Sequence, residues 1–290
     1  MIRPWILAAR PKTLPAAAAP VILATALAFS DGKFKAVPAI LALGFALLIQ
    51  TATNYANDYF DFVKGADTPD RKGPARAVAS GMISPCVMLR VTIVVFAVAF
   101  VEGLMLLPYG VWPLVVVGIL CVICGLAYTC GPYPLAYNGL ADLFVLIFFG
   151  GVAVTVTYFV QAGTITPESI LISLSPGALS VNILAVNNYR DHDTDKAAGK
   201  RTIVVRFGRK AGAAEYLFML VVAHLVPVVL WISGRGALVL MPLISLPLGL
   251  MLLRLLVKSR TREEFDKTLG GTAMYLLVFS LLFSAGLAMG

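Results

Sequence analysis

Residues 37–61 read VPAILALGFALLIQTATNYANDYFD, and this stretch decides the fold class. Its first half holds no charged or hydrogen-bonding side chain. That pattern is typical of a membrane-spanning helix, because the bilayer core offers the backbone no water partner. Its second half carries Gln50, Asn54, Asp58 and Asp61 at steps of four, four and three, which places them on one helical face. The sequence therefore predicts a membrane helix that ends in a polar row.

The same apolar character extends over the whole chain of 290 residues. Hydrophobic residues make up 59% of it, charged residues only 13%, and the mean hydropathy is +0.88. Soluble proteins carry about 25% charged residues. A soluble enzyme, a disordered scaffold and a disulfide-stapled secreted module are therefore excluded. At about 20 apolar residues for each crossing, the composition predicts an all-α polytopic membrane protein with about nine transmembrane helices.

Apolar runs separated by glycine, proline or charged residues place the nine predicted spans. The runs are residues 14–30, 37–56, 86–107, 111–129, 139–161, 168–188, 211–232, 237–257 and 270–289. All of them belong to one predicted transmembrane domain, residues 1–290. We expect the first run to be a retained span and not a cleaved signal peptide, because its removal would upset the charge balance of the loops.

The basic residues are distributed unevenly between the two sides of this predicted bundle. Twenty of the 23 Lys and Arg fall on the side of the N-terminus, and only Lys33, Lys35 and Arg235 fall on the other. Loops that stay in the cytoplasm are enriched in Lys and Arg. The chain is therefore expected in a bacterial inner membrane, with its N-terminus in the cytoplasm and its C-terminus outside.

A second polar row follows the sixth predicted span. Asn187, Asp191 and Asp195 repeat the step of four, again with the amide deeper in the membrane and the carboxylates nearer its surface. Both rows lead into basic stretches, which form two predicted cytoplasmic active-site loops, 57–85 and 189–210. The repetition indicates that the same structural arrangement occurs twice in the chain.

The chemistry of the two rows predicts a site for a divalent cation and a phosphorylated ligand. Ionisable residues at span ends are costly and usually functional. Oxygen ligands with almost no His or Cys favour Mg²⁺, which completes its shell with substrate phosphates. The neighbouring Lys and Arg suit further phosphate oxygens. The alternative, two solvated loops, accounts for Asp70, Asp193 and Lys196 but not for Asn54 and Asn187, which lie within predicted spans.

With these rows the chain resembles the UbiA superfamily of intramembrane prenyltransferases. The matching strings are Arg10-Pro-Lys-Thr-Leu-Pro-Ala, Asp58-Tyr-Phe-Asp61, Lys64-Gly-Ala-Asp67, Arg71-x-Gly-Pro-x-Arg76, Asn187-Asn-x-Arg-Asp191 and Gly199-Lys-x-Thr-x-x-Val-Arg-x-Gly208. The last Asp of the first family motif would fall at Gly65, and Asp67 is the expected substitute. The strings are most similar to the branch of the superfamily that serves menaquinone synthesis.

The resemblance implies a nine-helix bundle with a central cavity open to lipid, and it implies the role of each residue. Two Mg²⁺ ions would hold the head of a polyprenyl diphosphate. The implied metal ligands are Asp58, Asp61, Asp67, Asp191 and Asp195. These carboxylates other than Asp67, together with Lys200, are the expected catalytic residues. The expected substrate-binding residues are Asn54, Asn57, Lys64, Arg71, Arg76, Asn187, Arg190, Arg201 and Lys12.

The implied reaction is the Mg²⁺-dependent transfer of a polyprenyl group to 1,4-dihydroxy-2-naphthoate, with loss of CO₂ and diphosphate. The product would be a demethylmenaquinol, and the enzyme an aromatic prenyltransferase with no nucleic-acid partner. Arg10 or Lys12 would hold the carboxylate of the acceptor. Two alternatives remain at this stage. Another aromatic acceptor, such as 4-hydroxybenzoate or a phylloquinone- or chlorophyll-type ring, is one, and a secondary transporter is the other. The sequence does not define the oligomeric state.

Overall fold

A computed structural model describes residues 2–65 and 76–290 of the chain, and every regular element within those two stretches is a helix. In chain order the helices are α1 (Arg3–Ala9), α2 (Pro15–Ser30), α3 (Ala36–Val63), α4 (Pro85–Leu104), α5 (Pro113–Ala127), α6 (Ala141–Ala162), α7 (Pro167–Arg190), α8 (His192–Ala197), α9 (Ile203–Phe207), α10 (Arg209–Ile232), α11 (Ala237–Lys258) and α12 (Arg262–Met289). The first nine residues of α11 form a 3₁₀-helix. The predicted all-α fold is confirmed.

Seven of the described helices are long and apolar enough to cross a membrane. They are α3, α4, α6, α7, α10, α11 and α12. An eighth span results if Arg3–Thr13 and Pro15–Ser30, which meet at a bend of 52°, are counted as one. The ninth predicted span corresponds to α5, which is apolar but only 15 residues long. The chain is thus a multi-pass membrane protein, and the number nine stays approximate.

Local sequence signals explain where the long helices begin. Pro occupies the first or second position of α2, α4, α5 and α7, where its fixed φ suits a helix and its missing N–H costs nothing. The hydroxyl of Thr166 accepts a hydrogen bond from the Ser169 N–H, and that of Thr261 accepts one from Glu264 N–H. Both arrangements are capping boxes, which satisfy backbone donors that the first turn leaves open.

Helix α7 lies at the centre of the bundle, and 78% of its apolar 18-residue stretch is buried. It packs against α2, α6, α10 and α12, and these helices supply the largest hydrophobic core. Helix α6 contains a π-helical turn over residues 146–152, and α7 packs closely against it. A Cβ added to Gly177 of α7 would lie 3.0 Å from the Gly150 Cα, so neither position has room for a side chain.

Two predicted boundaries differ from the structure. The first polar loop was expected to begin at residue 57, but α3 continues to Val63, so Asn57, Asp58 and Asp61 are helical residues. The second was expected to begin at residue 189, but α7 continues through Arg190. The reason is the same in both cases. Hydropathy marks where a helix leaves the apolar layer, whereas the hydrogen-bonded helix itself extends into the polar region.

Ion pairs and hydrogen bonds hold the N-terminal end of α7. We call this group the Arg235 cluster, and it consists of Arg235, Asp31, Glu168, Ser30 and Tyr158. The Arg235 guanidinium donates to both Glu168 oxygens and to Asp31 Oδ1, each at 2.7 Å, and to Ser30 Oγ at 2.9 Å. The Tyr158 hydroxyl donates to the other Asp31 oxygen at 2.7 Å. The cluster therefore joins the end of α2, α6, the start of α7 and the turn after α10.

Candidate active site

A central cavity of about 270 Å³ lies between α2, α3, α5, α6 and α7. Most of its wall is apolar, with aromatic side chains that include Phe45, Phe144, Phe148 and Phe149. Such a wall suits a hydrocarbon chain, because burial of apolar surface is favourable and few polar groups are left unpaired. Polar residues are concentrated where α3 and α7 approach the same end of the cavity.

The amides of the two polar rows face this one cavity. Gln50 and Asn54 of the first row and Asn187 of the second all line it, together with Asn57, the neighbour of Asp58. Asn54 is 3% exposed and Asn57 6% exposed, so these amides lie inside the bundle and not in solvated loops. The rows that are far apart in the sequence therefore meet in space.

The carboxylates of the first row are held by the chain segment that returns toward α4. Asp58 accepts hydrogen bonds from the backbone N–H of Ala77 and of Val78, both at 3.0 Å. Asp61, one turn further along α3, forms a buried salt bridge with Arg76. Asp58 thus fixes the returning backbone, while Asp61 brings a guanidinium beside the row.

The carboxylates of the second row are paired with cations from their own loop. Arg190 donates to both oxygens of Asp191 at 2.7 Å, and it also lies 3.4 Å from Asp266 of α12. Lys200 Nζ lies 2.7 Å from Asp195 Oδ1. Each of these carboxylates is therefore balanced by a positive charge, as buried ions require.

Tyr137, in the segment between α5 and α6, connects the two rows. Its ring centre lies 4.9 Å from Nζ of Lys64, which follows the first row, and 5.2 Å from Nζ of Lys200, which follows the second, within the range of cation–π contacts. Its carbonyl accepts the Arg201 N–H at 2.9 Å. Tyr137 is not among the site residues predicted from the sequence. The one signal for it is an aromatic residue in the stretch with glycine and proline between two spans.

Thr129, from the same segment, is a second residue that the sequence analysis did not select. Its hydroxyl donates to Asn57 Oδ1 at 2.9 Å, and its carbonyl accepts a hydrogen bond from Lys64. Thr129 is 4% exposed, so both contacts are shielded from water. It orients one amide and one ammonium group of the first row.

Charges of the second loop interact with a carboxylate of the first row. Burial alone would lower the pKa of the Lys200 ammonium, but the charges of Asp195 and then Asp61 outweigh burial, and the pKa is raised. Burial raises the pKa of the Asp195 carboxyl, although Lys200 opposes the shift. By contrast, the exposed Asp193 has a lowered pKa, chiefly because it is hydrogen-bonded to His192. The buried charges of the two rows thus act on one another, and Asp193 stands apart.

Several predicted site residues lie elsewhere. Lys12 is exposed, lies beside Gly270 of α12 and does not line the cavity, and its role in substrate binding stays a prediction. Arg201 is also exposed and contributes its backbone N–H to the Tyr137 contact. Asp67 and Arg71 lie outside the described residues, and their roles stay predictions.

Within residues 2–65 and 76–290, no group of three or more His, Cys, Asp or Glu side chains is arranged to hold a metal ion by itself. The donors present are nevertheless those that Mg²⁺ selects, namely carboxylate and amide oxygens. Mg²⁺ is commonly held by one or two carboxylates plus substrate phosphates and not by an all-protein cage. A carboxylate oxygen has two lone pairs, so one that accepts a hydrogen bond can also bind a metal ion. The residues therefore fit Mg²⁺ together with a phosphorylated substrate.

The apolar cavity of this helical bundle suits the tail of a ligand, and the acidic and basic residues beside it suit an anionic head group. The fold and the site together define a membrane protein that binds a ligand of this kind. A sequence profile of the UbiA prenyltransferase family matches residues 17–287. The chain belongs to this family, which confirms the resemblance stated above and the assignment as a prenyltransferase.

Individual relatives and solved structures agree with that assignment. The 1,4-dihydroxy-2-naphthoate octaprenyltransferase of Escherichia coli (strain K12) is 40% identical over 228 residues, 77% of this chain and 74% of that protein. The protein of the same name from Mycobacterium tuberculosis is 35% identical over 99% of this chain and 97% of its own length. In fold, a UbiA homolog from Aeropyrum pernix K1 superimposes with a TM-score of 0.70 at 18% identity, covering 93% of this chain and 97% of that one. A UbiA homolog from Archaeoglobus fulgidus bound to GPP and Mg²⁺ gives 0.64 at 15% identity, covering 97% and 99%.

Proposed function

We propose that the protein transfers a polyprenyl group from a polyprenyl diphosphate to 1,4-dihydroxy-2-naphthoate, with loss of CO₂ and diphosphate, to give a demethylmenaquinol. The observation that carries the proposal is the single apolar cavity onto which the amides of both rows open. Relatives named 1,4-dihydroxy-2-naphthoate octaprenyltransferase, at 35% and 40% identity, support the choice of acceptor.

The diphosphate head belongs beside the two rows, in this proposal, and the prenyl tail inside the cavity. Lys200, Arg76 and Arg190 hold positive charge next to the carboxylates, as their salt bridges place them. Cleavage of the allylic C–O bond transfers negative charge to the departing diphosphate. Cationic groups that are already fixed where this charge develops lower the barrier without reorganisation.

Magnesium is the metal that the donor set fits, and we assign two ions, one to each row. Asp61, with Asp58 and Asp67, would hold one, and Asp191 with Asp195 the other. When bound, Mg²⁺ stabilises charge on phosphate oxygens as a Lewis acid. The structure of the Archaeoglobus fulgidus homolog bound to GPP and Mg²⁺ supports a divalent metal in this family.

The remaining residues orient and shield the reactants. Thr129 fixes the Asn57 amide, and the Tyr137 ring holds the Lys64 and Lys200 side chains near each other. The apolar wall keeps water away from the allylic cation, so that the electron-rich ring captures it instead. Tyr128 and Phe149 line the cavity and present π faces that suit a cation.

We assign the chain to a bacterial inner membrane with its N-terminus in the cytoplasm and its C-terminus outside, on the distribution of basic residues. A reporter fused after Gly290 tests this orientation. Alkaline phosphatase, which folds only outside the cytoplasm, should be active there, and green fluorescence from an exported fluorescent protein should be absent. The reverse result contradicts the assignment.

The reaction itself is tested with purified protein, Mg²⁺, a polyprenyl diphosphate and a panel of aromatic acids, with products identified by mass. We expect prenylated product with 1,4-dihydroxy-2-naphthoate, release of CO₂ and diphosphate in equal amounts, and no product when a chelator removes the metal. Product with 4-hydroxybenzoate alone would replace the proposed acceptor. Neither a transporter nor another acceptor is favoured by any feature of the site.

A further inference from the structure

Helix α11 carries two exposed basic residues at its C-terminal end. Arg254 and Lys258 are four residues apart, which places them on one side of the helix and about 6 Å apart along its axis. The neighbouring Leu250, Met251 and Leu255 are exposed as well. Because α11 is one of the membrane-spanning helices, this exposed apolar surface contacts lipid, and the two cations lie at its end.

This end of α11 lies on the same side of the membrane as the two polar rows. A short turn leads from Lys258 into α12, where Asp266 lies 3.4 Å from Arg190 at the end of α7. Arg190 also contacts Asp191 of the second polar row. The two exposed cations are therefore at the level of the lipid head groups on that side. They do not line the central cavity, so they are separate from the candidate active site.

Two carboxylates at the start of α12 have partners other than these cations. Glu263 pairs with Lys267 at 2.9 Å, and Glu264 accepts hydrogen bonds from backbone N–H groups of the turn before α12. Arg254 and Lys258 themselves form no hydrogen bond or ion pair with any residue in the stretches 2–65 and 76–290. Their charges are therefore available to a ligand from the membrane.

We propose that Arg254 and Lys258 bind the head group of an anionic phospholipid whose acyl chains lie along the exposed apolar surface of α11. A guanidinium and an ammonium suit phosphate oxygens, and exposed leucine and methionine side chains suit a hydrocarbon chain. Two cations favour a lipid of net negative charge over a zwitterionic lipid, whose own ammonium they repel. The inference goes beyond the proposed function, because it involves neither the prenyl donor nor the aromatic acceptor.

The test uses purified protein in phosphatidylcholine nanodiscs with a small amount of a photoactivatable phosphatidylglycerol that carries a diazirine in one acyl chain. After irradiation, the labelled peptides are identified by mass. We expect label within residues 248–255 of α11. Unlabelled phosphatidylglycerol should displace this probe roughly 5- to 30-fold better than phosphatidylethanolamine with the same acyl chains, as one or two cations at a membrane surface predict.

Variants show whether the two cations are responsible. Arg254→Gln combined with Lys258→Gln should remove the preference for phosphatidylglycerol, and Arg254→Gln alone should reduce it about fivefold. Arg90→Gln is the matched control, because Arg90 is also exposed on a lipid-facing helix but is the only basic residue of α4. It should leave the labelling of α11 unchanged. Prenyl transfer by the double variant in detergent should equal that of the wild type, because neither side chain lines the cavity.

Four results would overturn the inference. Unchanged labelling of α11 in the double variant, or in Arg254→Gln if the double variant does not insert, would show that other residues hold the lipid. Equal displacement by the two phospholipids would show that the net charge of the lipid is not recognised. An equal loss in Arg90→Gln would assign the effect to the positive charge of the whole surface. Displacement by inorganic diphosphate as effective as that by phosphatidylglycerol would replace the lipid by a soluble anion.

Discussion

At the start of α7, Glu168 and Asp31 both contact Arg235, and at its end, about 33 Å away, Arg190 contacts Asp191. Both groups are built from arginine and carboxylates with contacts of 2.7 Å. Only the second adjoins the amides that line the central cavity. The Arg235 cluster joins helix ends, whereas in our proposal the polar rows bind the substrate's head group.

The strongest test of this contrast removes one carboxylate from each polar row. Asp61→Asn or Asp191→Asn should reduce prenyl transfer at least roughly 100-fold, because a fixed charge at the reacting diphosphate is lost. Product is measured by mass in membranes supplied with Mg²⁺, and insertion is checked by the amount of protein in the membrane. Asp193→Asn is the matched control. Asp193 is exposed, and its loss should change turnover by less than about twofold.

Arg235→Gln should instead lower stability and leave the KM values unchanged. It leaves Asp31 and Glu168 without their common partner, and we expect a loss of about 1–2 kcal/mol in stability, less than for a fully buried pair because the side chain is 27% exposed. Thermal unfolding in detergent measures the change, while the KM values stay as in the wild type. Lys267→Gln, which breaks an exposed pair with Glu263, should leave the unfolding temperature unchanged. A catalytic defect in Arg235→Gln without loss of stability would contradict the structural role of the Arg235 cluster.

A smaller effect is expected at Thr129. Thr129→Val keeps the shape but leaves Asn57 Oδ1 without the donor seen at 2.9 Å, at a cost of about 1 kcal/mol. The KM for polyprenyl diphosphate should rise several-fold, and Thr129→Ser, which keeps the hydroxyl, should restore it. If Thr129→Ser raises this KM as much as Thr129→Val does, packing and not the hydrogen bond is responsible.

The smallest effect is expected at Tyr137. Tyr137→Leu removes the ring between Lys64 and Lys200, and cation–π contacts of about 0.5–1 kcal/mol predict a roughly two- to fivefold rise in the same KM. Tyr137→Phe retains the ring and should raise the KM less than Tyr137→Leu does. Equal effects of leucine and phenylalanine would assign the role to the hydroxyl.

The helices were largely predictable from the sequence. The predicted spans 168–188 and 237–257 lie within α7 and α11, each missing no more than two residues at either end. An apolar run is a local property, so its position is read directly from the chain. The spacing of Asn54 and Asn187 within such runs likewise indicated which residues face a common interior.

The partners of the polar residues were not predictable in the same way. That Asp58 would accept the N–H groups of Ala77 and Val78 depends on how a connecting segment folds back, which no local pattern encodes. The left-handed backbone of Arg10 was equally hidden, because periodicity carries no information about such a turn. These contacts are tertiary, and they follow only from the assembled bundle.

The π-helical turn at residues 146–152 has a consequence for how this enzyme can change over evolutionary time. Such a turn contains one residue more than an α-helical turn, which shifts the phase of everything beyond it by about 100°. Phe144 before the turn and Val156 after it both line the cavity. If this turn became α-helical with every residue kept, Val156 would rotate by about that angle and leave the cavity wall. A substitution that only straightens the helix is therefore expected to remodel the cavity, whereas deleting one residue together with the turn would keep both side chains in place.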